Sequence, residues 1–235
     1  AVDIAYSPND LYRLKREGKK AIMLGIENGY AIGKDLSRVA HFRKRGVVYM
    51  TLCHNGNNDI CGSARYNEEN LGVTPFGEQV IQEMNRLGMM VDLSHSGERT
   101  FYETLDISSQ PVVCSHSSSR ALCDHPRNLT DEQLRAIARK GGVVQVCLYS
   151  GFLRKERPAH ILDAIEHLNH MVNVMGIEHV GIGSDFDGDG GIIGCNDSSE
   201  MINLTRQLLH ELYNEEDIRR IWGGNFLRVM QQVQE

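Results

Sequence analysis

The chain has 235 residues, 41% hydrophobic and 24% charged, with a formal net charge of −6. That composition suits one large α/β domain or two small ones, and the lack of any basic block argues against a nucleic-acid partner. No run of about 18 apolar residues occurs, so no membrane-spanning helix is expected, and the opening AVDIAYSPND has neither the basic start nor the apolar core of a signal peptide.

Asn9 is expected to cap a short helix with Leu11 and Leu14 inward, stopped at Gly18. Ala21 to Ile26 reads as a buried strand ending in Glu27-Asn28-Gly29. A helix then starts at Asp35, with Leu36, Val39 and Ala40 on one face and Gly46 at its end. Val47 to Cys53 forms the next strand and ends in His54. A polar, Asn- and Gly-rich loop runs from Asn55 to Val73. Thr74-Pro75 opens a helix whose stripe is Val80, Ile81, Met84 and Leu87.

Two apolar runs follow, Met89 to Leu93 and Pro111 to Cys114, and each ends in Ser-His, at His95 and His116. The segment between them places Phe101 and Leu105 one helical turn apart. This is a strand, a crossover helix and a parallel strand. Thr130 and Gln133 form a capping box for a helix carrying Leu134, Ile137 and Ala138. Gly142 to Leu148 is a strand leading to Tyr149. A helix from Pro158 to Gly176 carries Ile161, Leu162, Ile165, Leu168, Met171, Val172 and Met175. His179 to Ser184 is a strand leading to Asp185 in DFDGDGG. A helix with Leu204, Leu208 and Leu212 follows, then one capped at Asn214, then a terminal segment around Phe226 and Met230.

Six strands, each followed by a helix, with polar residues at the carboxyl ends, form the pattern of a (β/α)8 TIM-type barrel. Six of its eight βα units are present, so the reading is one partial barrel domain over 1–235 that starts part-way round. An open six-stranded doubly wound sheet is the alternative, although no Gly-rich phosphate loop follows its first strand. The six cysteines include no C-x-x-C pair and no disulfide framework, which points to a reducing, cytoplasmic compartment. A periplasmic or secreted location applies if a leader has been removed, and a Cys53–Cys61 bridge is an alternative to free thiols.

The strand ends gather Glu27, His54, His95, His116, Tyr149 and Asp185 on one rim. Imidazoles and carboxylates of this kind suit a zinc ion with a position left for water. A bound ion would bring its water towards hydroxide at neutral pH, with a remaining carboxylate to move the proton. DFDGDGG does not match the EF-hand spacing, which argues against calcium. Arg127, just beyond the His116 strand, is a candidate clamp for a substrate carboxylate.

GIENG, TLCHN, VDLSHS, CSHSSSRALCDHPRN and GIGSDFDG, in this order, resemble the membrane dipeptidase (renal dipeptidase) family over nearly the whole chain. The resemblance implies a (β/α)8 barrel with a two-zinc site that hydrolyses dipeptides, including some with a C-terminal D-residue. It implies that Glu27 bridges both zincs, that His95 and His116 complete the second site, and that Asp185 belongs to the first and serves catalysis. His54 would polarise the scissile group or its oxyanion. Arg127 would bind the substrate carboxylate, with Tyr149 beside the substrate. The family's first-strand His-x-Asp, two ligands of the first zinc, has no counterpart before Glu27. One zinc or none is therefore expected for this chain alone, with either a homo-oligomer or complementation by a missing N-terminal segment. Two other functions compete: a non-catalytic metal-binding or interaction protein, and a related barrel hydrolase acting on lactones or phosphoesters.

Overall fold

The structure is a computed structural model describing residues 1–235. The chain divides into two compact units, 1–113 with 227–235, and 114–226. No helix is long and apolar enough to cross a membrane.

The first unit opens with a strand that the sequence pattern did not reveal. Strand β1, Val2–Ile4, runs parallel to β2, Lys20–Ile22, and helix α1, Pro8–Arg16, connects them. Ser7, not Asn9, caps α1: its hydroxyl accepts from the Asp10 amide at 3.3 Å. The reason is Pro8, whose fixed φ and missing N–H fit the first helical position, so the cap falls one residue earlier. The expected strand Ala21 to Ile26 is likewise two strands. Ile22 pairs with Ile4, whereas Leu24 opens β3, Leu24–Glu27, which pairs with β4, Val47–Thr51. The chain thus changes partner at Met23. Gly25 permits the second pairing, because a Cβ there would lie 2.2 Å from the Tyr49 ring.

Beyond β3 the expected order holds. Helix α2, Ser37–Lys44, follows an Asp35 turn, and α3, Pro75–Arg86, is capped by Thr74, whose hydroxyl accepts from the Gly77 amide at 2.9 Å. Strand β5, Met90–Asp92, pairs in parallel with β4. Helix α4, Glu98–Ile107, buries Phe101 completely. In the two-residue strand β6, Val113–Cys114, Val113 pairs with Asp92.

In the second unit, α5, Asp131–Arg139, has the expected capping box between Thr130 and Gln133. Strands β7, Val143–Cys147, and β8, Val180–Gly183, pair in parallel and are joined through α6, Ser150–Leu153, and α7, Ile161–Met175. The α7 stripe buries Ile161, Ile165, Leu168 and Met171, but Leu162 faces solvent. Helix α8, Ile202–His210, buries Leu204 and Leu208. Leu212 does not extend that stripe. It stands 90% exposed at φ +64°, in the turn that carries the chain to Asn214, the cap of α9, Glu215–Arg219. Helix α10, Asn225–Gln234, closes the chain.

One α7 side chain makes the second unit sensitive to acid. His167 is fully buried, with Nδ1 accepting from the Ser119 amide at 3.0 Å and Nε2 3.3 Å from the Leu153 carbonyl. Burial pushes its pKa down to about 4, against the raising effect of the Leu153 carbonyl. The unfolded imidazole protonates near pH 6.5, the folded one only near pH 4. The stability at stake is therefore whole above pH 6.5 and lost as pH falls through that window, on the order of 3 kcal/mol in all. Replacing His167 by Asn keeps an acceptor for Ser119 and removes the titration. Between pH 7 and pH 4.5 the thermal midpoint of the unaltered chain is expected to fall further than that of His167→Asn; equal falls would contradict the assignment.

Candidate functional site

Glu27, Thr51 and Asp92 are register partners at the carboxyl ends of β3, β4 and β5. They begin a row of polar groups. The Thr51 hydroxyl donates to Asp92 Oδ2 at 2.5 Å, and Asp92 Oδ1 accepts from the Ser94 amide at 3.0 Å. Asp92 is completely buried, so these bonds matter: a buried carboxylate must be met by donors. They also fix the turn that leads to His95.

His95 sits in that turn at φ +70°, in the left-handed region. Its carbonyl is gripped by the Ala64 amide at 2.7 Å and the Ser63 hydroxyl at 3.3 Å. Its ring is thereby aimed at Glu27, with Nε2 3.1 Å from Oε1. On the other side of the ring, Nδ1 lies 3.3 Å from the Asn55 side-chain oxygen. The His54 ring packs against it with centroids 4.3 Å apart. The first unit therefore brings Glu27, His54 and His95 together. An imidazole nitrogen and a carboxylate oxygen are both ligand types that a divalent metal ion takes, so the donor set fits such an ion.

In the second unit His116 is 8% exposed, with Nδ1 2.8 Å from the Ser115 hydroxyl. Arg127 is buried and donates from Nη2 to the His116 carbonyl at 3.4 Å. Its guanidinium lies 5.3 Å from the Phe152 ring centroid, a cation–π contact. Tyr149 meets the same ring edge-on at 4.7 Å. His116, Arg127 and Tyr149 are thus linked around Phe152. Asn128 secures the loop by donating to the carbonyls of Cys123 and Phe152, both at 2.8 Å.

Asp185 follows β8 at φ +58°. Its carbonyl accepts from the amides of Gly188 and Gly190 at 3.0 and 2.7 Å, and a Cβ at Gly188 would lie 2.5 Å from Oδ1. The glycines of DFDGDGG therefore let the turn close around this carboxylate. The Cys147 thiol donates to Asp185 Oδ2 at 3.8 Å. Burial, followed by the Asp185 charge, pushes that thiol up to about 12. Cys147 thus stays protonated and packs as a core residue. All six cysteines are free and buried, Cys53 and Cys61 included.

Comparison with known proteins fits this geometry. Residues 1–235 match the family model described as membrane dipeptidase, peptidase family M19. The chain belongs to the membrane dipeptidase family. It is 40% identical to an uncharacterized dipeptidase of Schizosaccharomyces pombe over 227 residues, 94% of this chain and 55% of that protein. The structure of the probable dipeptidase PvdM from Pseudomonas aeruginosa superimposes with a TM-score of 0.96 at 32% identity, covering 99% of this chain and 74% of that one. A metallo peptidase from Rhodobacter sphaeroides, liganded with a phosphinate mimic of the dipeptide L-Ala-D-Ala, gives a TM-score of 0.88 at 27% identity over 99% of this chain and 69% of that one. The chain spans about half the length of the curated relatives it matches. A further solved member of family M19 is described as a metallo peptidase, and the α/β fold with parallel strands is that of a TIM-type barrel.

Asn55, Asp92 and Ser115 escaped the sequence reading as parts of the site. Each lies within a quoted motif, at TLCHN, VDLSHS or CSHSSS, and that proximity was the one available signal. Asp92 gives a direct test. Asp92→Ala removes the acceptor of both the Thr51 hydroxyl and the Ser94 amide, at about 1–3 kcal/mol per buried donor bond lost, whereas Thr51→Val leaves the Ser94 bond in place. Urea unfolding is expected to show Asp92→Ala losing at least about 2 kcal/mol, clearly more than Thr51→Val. A smaller loss for Asp92→Ala would refute the anchoring role.

Proposed function

We propose that this chain takes part in the metal-dependent hydrolysis of dipeptides, with Glu27 and His95 of the first unit holding a zinc ion to which the family resemblance adds His116. The observation that carries the reading is the placement of His95, with an acceptor on Nδ1 and the Glu27 carboxylate beside Nε2. Family membership supports it, as does the dipeptide mimic bound by the Rhodobacter relative. An ion held there supplies Lewis acidity and brings a water towards hydroxide near neutral pH.

The chain's own groups do the rest. Arg127 grips the free carboxylate of the dipeptide through its fork of N–H donors, and the Phe152 ring beneath it keeps the guanidinium in place. Tyr149, packed on the same ring, borders the substrate. Asp185 takes and returns a proton, its carboxylate aimed by the glycine turn. His54, packed at a tilt against His95, donates to the carbonyl oxygen as charge develops there. By the family resemblance Glu27 and Asp185 would also be ligands of the first zinc of the family's pair. Residues 1–26 contain no histidine, so this chain alone offers that zinc too few ligands to hold it tightly. The reading includes assembly with a second copy of the chain; Val2, Tyr6, Tyr12 and Ile22 in the first unit are exposed apolar groups available to it.

The test combines metal analysis, light scattering and dipeptide kinetics on the 235-residue chain and on Arg127→Lys. At most one tightly held zinc per chain is expected. Where hydrolysis is measurable, Arg127→Lys should raise KM at least tenfold with zinc content unchanged, because lysine keeps the charge and loses the fork. Two tightly held zincs in a monomer, or unaltered kinetics in Arg127→Lys, would overturn the respective assignment.

A further inference from the structure

We infer that Asn55 is a positioning residue for the metal: its amide oxygen holds the Nδ1 proton of His95 and so commits Nε2 to the ion. The inference rests on the metal site proposed above. A neutral imidazole has one donor nitrogen and one acceptor nitrogen, and the bond made at one sets the role of the other. Once Nε2 is given to an ion, the ring's proton lies on Nδ1, and the Asn55 amide oxygen 3.3 Å away is placed to accept it. The Nε2 lone pair then points towards Glu27, 3.1 Å away. His116 is arranged differently. Its Nδ1 meets the Ser115 hydroxyl at 2.8 Å, a group that can donate or accept, whereas the Asn55 amide oxygen beside His95 only accepts.

The surroundings of Asn55 separate this role from a part in folding. Asn55 is an exposed loop residue. The turn around it is held by other groups: the His54 carbonyl accepts from the Ser63 hydroxyl at 2.5 Å, and Asn58 Nδ2 donates to the Leu52 carbonyl at 2.9 Å. Outer partners of metal-bound histidines typically change metal affinity by about 10- to 100-fold when removed. For a single exposed neutral acceptor the lower end of that range is expected.

The experiment uses the 235-residue chain, Asn55→Ala and Asn55→Asp. Zinc affinity is measured by chelator competition, and the His95 ring is followed by nitrogen-15 NMR of the zinc-loaded protein. Asn55→Ala is expected to bind zinc about tenfold more weakly, and its His95 Nδ1 proton should exchange faster with water. Asn55→Asp keeps an acceptor, so its affinity should equal or exceed that of the unaltered chain. Metal-free unfolding midpoints should be the same in all three, whereas a structural role would lower those of the variants. If the unaltered chain binds zinc and Asn55→Ala binds it equally well, the role of Asn55 is refuted while the site stands. If the unaltered chain binds no zinc, the site reading fails and this inference fails with it.

Discussion

A left-handed histidine does not hold itself in place. His95 stands at φ +70°, a conformation that costs a non-glycine residue on the order of 1 kcal/mol or more and persists only where surrounding bonds over-determine it. Here they do. The Ser94 amide is tied to the buried Asp92, Asp92 to Thr51 on the next strand, and the His95 carbonyl to Ala64 and Ser63. Release any of these and the ring loses its aim at Glu27. The parallel register that sets Glu27 opposite Thr51, and Thr51 opposite Asp92, is therefore the frame on which the proposed metal site rests.

The second unit solves a similar problem with glycines. Asp185 also adopts a positive φ, and Gly188 and Gly190 wrap its carbonyl and carboxylate closely enough that a side chain at Gly188 would collide with Oδ1. Gly183, in β8, allows a comparable approach, since a Cβ there would lie 1.8 Å from the Ser115 carbonyl. Arg127 is held in part by the Phe152 ring and the His116 carbonyl, contacts that fix the plane of its N–H fork.

Much of this was legible in the sequence where the signal is local. Thr74 before Pro75, the Thr130–Gln133 box and the Asn214 cap each announce a helix within four residues, and the structure has all three. The strand ends were legible for another reason: apolar runs ending in Glu, His or Asp mark them, and in the structure Glu27 ends a strand while His95, His116 and Asp185 each follow one. What could not be read depends on partners far along the chain. The break at Met23 exists because Ile22 pairs with Ile4 while Leu24 pairs with Val47. Leu212 keeps the helical spacing of Leu204 and Leu208, yet the chain has already turned. The contact of Asn55 with His95 spans 40 residues, and that of Thr51 with Asp92 spans 41. No periodicity encodes such pairings.

The central claim is that imidazole and carboxylate groups at the strand ends, not the buried thiols, hold the metal. Zinc K-edge X-ray absorption on the zinc-loaded chain tests it most directly. The account predicts only nitrogen and oxygen neighbours at about 2.0–2.2 Å, with the outer-shell scattering of two imidazole rings. A sulfur neighbour at about 2.3 Å, or a spectrum without imidazole scattering, would contradict it.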